Sequence, residues 1–201
     1  MKDADPRKVG RRFSDATMQL ALGGYAGFHT TTPPSSESAY GVYWPALVPA
    51  EAVEQVVHLP DGTARGVPHS PSAAPERPAV PPVPPAPVAG ETRRVPLGLV
   101  AGARSGDKGG NANVGVWARD PAAYPWLAAE LTPARVRELL PEAAGLDVRV
   151  FPLPNLFAVN VVVVGLLGEG VASSTRPDPQ AKGLGEYLRS RLVDVPVELL
   201  G

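Results

Sequence analysis

Residues Arg104 to Asn113 read Arg-Ser-Gly-Asp-Lys-Gly-Gly-Asn-Ala-Asn, more polar chemistry than a change of chain direction needs. Arg104 offers a planar fork of donors suited to a carboxylate or phosphate, and Lys108 a compact point charge. Gly106, Gly109 and Gly110 permit positive φ or close approach of the backbone to another group. Successive backbone N–H groups in such a turn can form a concavity for an anion. Asp107 provides the opposite outcome: paired with Lys108 or Arg104, it cancels the charge and leaves a structural segment. A long hairpin connection that uses Gly and Asn for positive φ is the corresponding bland reading, and both readings stay open on sequence alone. The segment is not a P-loop, because the glycine spacing differs and a strand is predicted to follow it.

A second polar set comprises Asn155, Asn160, Arg176, Asp178 and Lys182. Asn160 interrupts the apolar run from Leu156 to Leu167, and an amide buried without a partner costs about 1–3 kcal/mol. The backbone of the 104–113 segment could supply those partners. Asp178-Pro179 reads as a capped helix start, and a helix N-terminus favours an anion. The two sets are expected to converge, either as a pocket for an acidic ligand or as a network that pins the segment. With Ser105, Gly106, Asp107, Gly109 and Asn113 they form the candidate ligand-binding residues. No nucleophile–base pair is visible: no histidine follows His69, so a Ser-His-Asp triad at Ser105 within the C-terminal part is excluded. Asp107 with Lys108 is the remaining acid–base option, and no catalytic residue is assigned.

Composition narrows the classes. The net charge of −1 over 201 residues argues against nucleic acid as a partner. Cysteine is absent, which removes disulfides, thiol nucleophiles and thiolate metal sites and suits a reducing cytosol. His29, His58 and His69 lack metal-ligand spacing, so neither a metal nor a cofactor is expected. The 156–167 run is too short to span a membrane, and no apolar leader follows Met1. Nine of the 25 prolines fall between Pro68 and Pro87. Proline fixes φ and lacks an N–H, which predicts an extended spacer with a Pro78-Ala79-Val80-Pro81 motif inside it.

The elements that must carry these residues follow from periodicity. Val95–Ala103 and Asn113–Ala118 read as strands around the polar segment. Pro121 to Glu142 reads as helical matter, Leu146–Leu153 as an edge strand, and Leu156–Leu167 as a central, doubly buried strand. A helix is expected from Asp178, with Ala181, Leu184, Leu188 and Leu192 on one face, and a short strand over Val195–Leu199. The order ββαββα(β) predicts an α+β two-layer sandwich, ferredoxin-like in layering, over 95–201. A Pro-rich linker over 66–94 and a poorly regular segment over 1–65 precede it. That first segment is rich in Phe, Tyr and Trp yet marginal by itself, so it is expected to pack against something else.

These residues resemble the acyclic terpene utilisation (AtuA) family. The C-terminal likeness rests on Arg104-Ser105-Gly106-Asp107-Lys108-Gly109, Asn113-Val114-Gly115-Val116, Leu153-Pro154-Asn155-Leu156, Asn160, Gly165 to Val171, and Arg176, Asp178, Lys182, Leu184 and Gly185. In the N-terminal part, Gly27 to Pro34 and Tyr43 to Pro49 resemble the end of the family's large first domain. The resemblance implies a bacterial, cytoplasmic protein of citronellol- and geraniol-type catabolism, a pathway that runs through acyl-CoA intermediates. It also implies that the chain lacks most of that first domain, as a truncated gene product, a fragment or a chain with a mis-called start would. The expected partners are a small acidic ligand, such as an acyl-CoA, and either a second copy of the chain or the family's N-terminal domain. Three roles follow: an accessory ligand-binding protein, an assembly module, or the remnant of an enzyme.

Overall fold

Two glycines set the register of the sheet. In the computed structural model, which describes residues 1–69 and 90–201, Gly109 takes φ +63 and turns the chain between two long antiparallel strands. In chain order the elements are α1 (Pro6–Val9), α2 (Arg11–Leu22), β1 (Gln55–His58), β2 (Ala64–Val67), β3 (Thr92–Pro96), β4 (Ala101–Lys108), β5 (Asn111–Ala118), α3 (Tyr124–Glu130), α4 (Pro133–Leu139), β6 (Val148–Leu153), β7 (Ala158–Val163), α5 (Leu184–Ser190) and β8 (Leu192–Pro196). A four-stranded antiparallel sheet runs β4-β5-β7-β6, and β3 pairs separately with β8. This is the expected α+β ββαββα sandwich, with one further strand at each end.

One face of the sheet carries the core. Ala101, Ala103, Val114, Val116, Val159, Val161 and Val163 alternate inward and pack with Leu127, Val136, Leu140, Leu184 and Leu188 of the helical layer in one cluster. Fully burying each aliphatic side chain contributes about 1.5–3 kcal/mol. Val193 and Val195 of β8 join the same core.

The boundaries depart from expectation for local reasons. The stretch 104–113 is not a loop: β4 runs through Lys108 and β5 begins at Asn111. Val95–Ala103 is not one strand, since β3 ends at Pro96 and a 3-10 turn, Leu97–Leu99, precedes β4. The helical matter of 121–142 breaks at Thr132, whose hydroxyl caps α4 by accepting the Arg135 N–H at 3.2 Å. Pro133 disfavours helical backbone at the residue before it. β7 is central but buried on one face only, because Asn160 and Val162 point away from the core. Pro152 is tolerated because β6 is an edge strand.

The last helix begins at Leu184 rather than after Asp178. Ala181 adopts φ +52, a left-handed conformation that a helix cannot contain. Leu192 therefore opens β8 instead of closing the helix, and the final strand is Leu192–Pro196 rather than Val195–Leu199.

The chain divides into two units, 1–43 with 83–201, and 44–82. No residue of α1 or α2 is buried, and Met18, Leu20 and Leu22 are exposed. The described part of the second unit is the β1–β2 hairpin with a 3-10 turn, Ala50–Ala52, before it. The 66–94 linker falls mostly on residues outside those described, including the Pro78–Pro81 motif.

Candidate functional site

The sheet has a helix-covered face and an open one, and strand alternation decides which residues reach each. On the open face, direct cross-strand partners form three rows. The first is Gly102, Trp117, Ala158, Leu153; the second Arg104, Gly115, Asn160, Phe151; the third Gly106, Asn113, Val162, Arg149. The pairing thus brings together the two ends of the 104–113 stretch and one residue of the second polar set. Arg104, Asn113 and Asn160 surround Gly115, and Asn113 donates a side-chain N–H to the side-chain oxygen of Asn160. A Cβ placed on Gly115 would meet nothing nearer than the Arg104 carbonyl oxygen, 3.9 Å away. Gly115 is therefore the floor of a shallow depression with an arginine on one side and an amide pair on the other.

Trp117 closes one end of this depression. Its indole lies over Gly102, where a Cβ would collide with the ring atoms Cε2 and Cζ2. A cross-strand aromatic filling the space above a glycine protects the ladder beneath it. The residue stays 41% exposed, with Phe151 at 47% and Leu153 at 39% on the same face. At the other end, the Lys182 ammonium lies 3.2 Å from where a Cβ of Gly106 would stand.

No Asp or Glu occupies any of these twelve row positions. Among the described residues Arg104 and Lys108 form no ion pair, whereas Arg149 pairs with Asp147, just before β6, at 2.8 Å. Lys108 donates instead to the backbone oxygen of Asp107 at 3.0 Å. The expected cancellation of Arg104 by Asp107 does not occur: the two residues alternate on β4, and Asp107 stands on the core side of the ladder.

The remaining candidate residues serve other purposes. Ser105 faces the helical layer, where its hydroxyl donates to the Lys182 carbonyl at 3.0 Å and accepts the Gly185 N–H at 2.8 Å. Asp178 accepts the backbone N–H groups of Lys182 and Gly183, each at 2.9 Å. Those N–H groups are the ones expected to greet an anion at a helix start, and a carboxylate of the chain itself holds them. Asp178 thus closes the 178–183 turn on itself, and Ser105 ties that segment to the β4 edge. Arg176 pairs with Glu142 at 3.4 Å, and Asn155 sits in the turn Pro154–Leu156 between β6 and β7. Neither joins the open-face cluster.

The hairpin tip is packed. Gly110 accepts the Leu167 N–H at 2.9 Å and lies against the Gly168 carbonyl, too close for any side chain. Asn111 accepts the Gly165 N–H at 2.9 Å. The Tyr43 ring covers Gly109, and its backbone N–H donates to Glu169 at 2.7 Å.

A larger cleft, about 530 Å³, lies elsewhere, lined by hydroxyls of Thr30, Thr32, Ser36, Ser38, Ser173 and Thr175. Its cation, Lys2, is already hydrogen-bonded to Glu169 at 3.0 Å, which holds the ammonium above the usual lysine range. None of the candidate ligand-binding residues lines it. Among the described residues no cluster of three His, Asp or Glu is placed to hold a metal ion, and no helix is long and apolar enough to cross a membrane.

Sequence reasoning missed Gly102, Gly115, Trp117 and Phe151. The signal was present in the Gly109-Gly110 turn: a two-residue Gly-Gly connection fixes the pairing of Lys108 with Asn111, and the partnerships of Arg104 with Gly115 and Gly102 with Trp117 follow by counting.

No curated protein and no solved structure matches the chain. Residues 95–194 match the AtuA ferredoxin-like domain, and residues 1–59 match the acyclic terpene utilisation family protein AtuA. The two matches cover both flanks of the Pro-rich stretch, in the order and with the fold described above. The chain therefore belongs to the acyclic terpene utilisation AtuA family.

Proposed function

We propose that this protein serves acyclic terpene utilisation as an accessory, ligand-binding component, and that its open sheet face holds an acidic ligand, an acyl-CoA or another carboxylate or phosphate. The observation that carries this reading is the Arg104 guanidinium, without an ion pair among the described residues, beside the Asn113–Asn160 amides and the open floor at Gly115. A guanidinium with no carboxylate opposite it presents its full donor fork to a carboxylate or phosphate oxygen. The division into a 1–65 segment, a 66–94 linker and a 95–201 domain fits this reading, with the C-terminal domain as the binding part. A geraniol-type acyl-CoA is expected to bind the full chain in calorimetry, and Arg104→Ala to weaken it about tenfold or more, on the scale of one charge-assisted hydrogen-bonded contact.

A second reading, an assembly module, is favoured by the exposed Trp117, Phe151 and Leu153 on the same face. Light scattering on Arg104→Ala and Lys108→Ala decides between them. A fall in oligomer mass with no ligand detected overturns the binding role.

A further inference from the structure

Resting on the reading of the open face as an acid-binding site, we propose that what this face recognises is a nucleotide, its base stacked on Trp117 and its phosphates on Arg104 and the Lys182 ammonium. The indole is already seated: it fills the space over Gly102, and the residue remains 41% exposed. A ring seated against the neighbouring strand loses little freedom on stacking, and base–aromatic stacking tolerates any base because every base has a π-face.

Charge selects the other half of the ligand. The three rows bear two arginines and no carboxylate, and Lys108 stands in the next row opposite Asn111, although the chain as a whole has a net charge of −1. A second copy docked face to face would set cation against cation, which like-charge repulsion opposes. Phosphate oxygens complement the face instead. Along β4, Gly102, Arg104, Gly106 and Lys108 point the same way, so the indole and the last cation span about 20 Å, with Arg104 one row from the indole. The Asn113–Asn160 pair, also one to two rows from the indole, keeps an amide donor and an amide acceptor for the edge of the base or the sugar.

The arrangement fits one nucleotide rather than a polymer. Only Trp117 has a cation in the neighbouring row of the adjoining strand; Phe151 lies two strands away, beside Asn160. No basic stripe continues beyond these positions to follow a backbone. An acyl-CoA carries such a nucleotide at the end remote from its acyl chain, so the sheet would grip the carrier and leave the acyl end unheld.

The test uses the full chain with ADP, coenzyme A and a geraniol-type acyl-CoA as probes in calorimetry. ADP is expected to bind and to compete with the acyl-CoA. Trp117→Ala is expected to weaken both by about tenfold, and Trp117→Phe to keep most of the affinity. Should Trp117→Ala fail to fold, the indole N–H resonance of Trp117 in the unaltered protein, assigned with Trp117→Phe, is expected to shift on adding ADP. An acyl-CoA that binds through Arg104 while ADP neither competes nor moves that resonance overturns the nucleotide inference and leaves the acid-binding role standing. If no probe binds, both fall. A single-stranded oligonucleotide binding far more tightly than ADP also overturns it, in favour of a polynucleotide.

Discussion

Arg104 and Gly115 are direct cross-strand partners, and the glycine opens the ground between the guanidinium and the amide of Asn160. Any side chain at 115 would stand in that ground without touching the core. Stability and binding are thereby separable at one position.

Gly115→Ala is expected to fold at least as well as the unaltered chain. Its φ is not positive, a Cβ there meets only ordinary contact, and Gly in a strand interior weakens it by roughly 0.5–1 kcal/mol relative to Ala. The same change is expected to weaken an acyl-CoA that reaches the floor between Arg104 and Asn160. A thermal melt with a parallel titration checks both; a variant that melts lower and binds unchanged contradicts the assignment.

Ser105→Ala should be costly without touching the open face. It strands the Lys182 carbonyl and the Gly185 N–H together, and leaving such groups unsatisfied costs about 1–3 kcal/mol. Denaturant unfolding measures the loss.

Tyr124→Phe should cost nothing at neutral pH and can gain about 1 kcal/mol. The Tyr124 hydroxyl is buried with no hydrogen-bond partner among the described residues, while the edge-on contact of its ring with Phe157, centroids 6.2 Å apart, survives the change. Burial also holds the phenol above its ordinary value of 10.0. The unfolded chain therefore ionises first, so this stabilisation is complete below about pH 10 and is lost as the pH climbs through the folded-state value. The variant is expected to lose less stability than the unaltered protein between neutral and strongly alkaline pH, as read from melting temperatures.

Gly110→Ala should destabilise the hairpin tip, because its methyl group would enter the Gly168 carbonyl. Relief requires the 165–170 turn to move, which breaks the Leu167 to Gly110 hydrogen bond. Faster amide exchange at Leu167 and Gly165 would report it. Unchanged protection at both would show that the turn adapts.

The polar residues of the 104–113 stretch and of 155–182 announce themselves, since amides and charges inside apolar runs must be satisfied or used. Their distribution does not. Arg104 and Ser105 are sequence neighbours, yet strand alternation sends one to the open face and the other to the helical layer, a split fixed only once the register is known. Asp178 looks like a helix cap because Asp-Pro commonly is one. Its helix is delayed by Ala181 in the left-handed region, a conformation with no marker when the residue is alanine rather than glycine. Trp117 shows its role only once the register is counted from the Gly109-Gly110 turn, because its seat is the absence of a side chain at Gly102, on a different strand.

Thr92 stands opposite Pro196 in the β3–β8 ladder, so the domain is entered and left at the same corner. Joining those ends with a short connector and reopening the chain at an exposed turn such as Pro154–Leu156 should give a circular permutant with the same sheet. The domain can likewise be moved as a cassette into a surface loop of another protein, since its two attachment points already sit side by side.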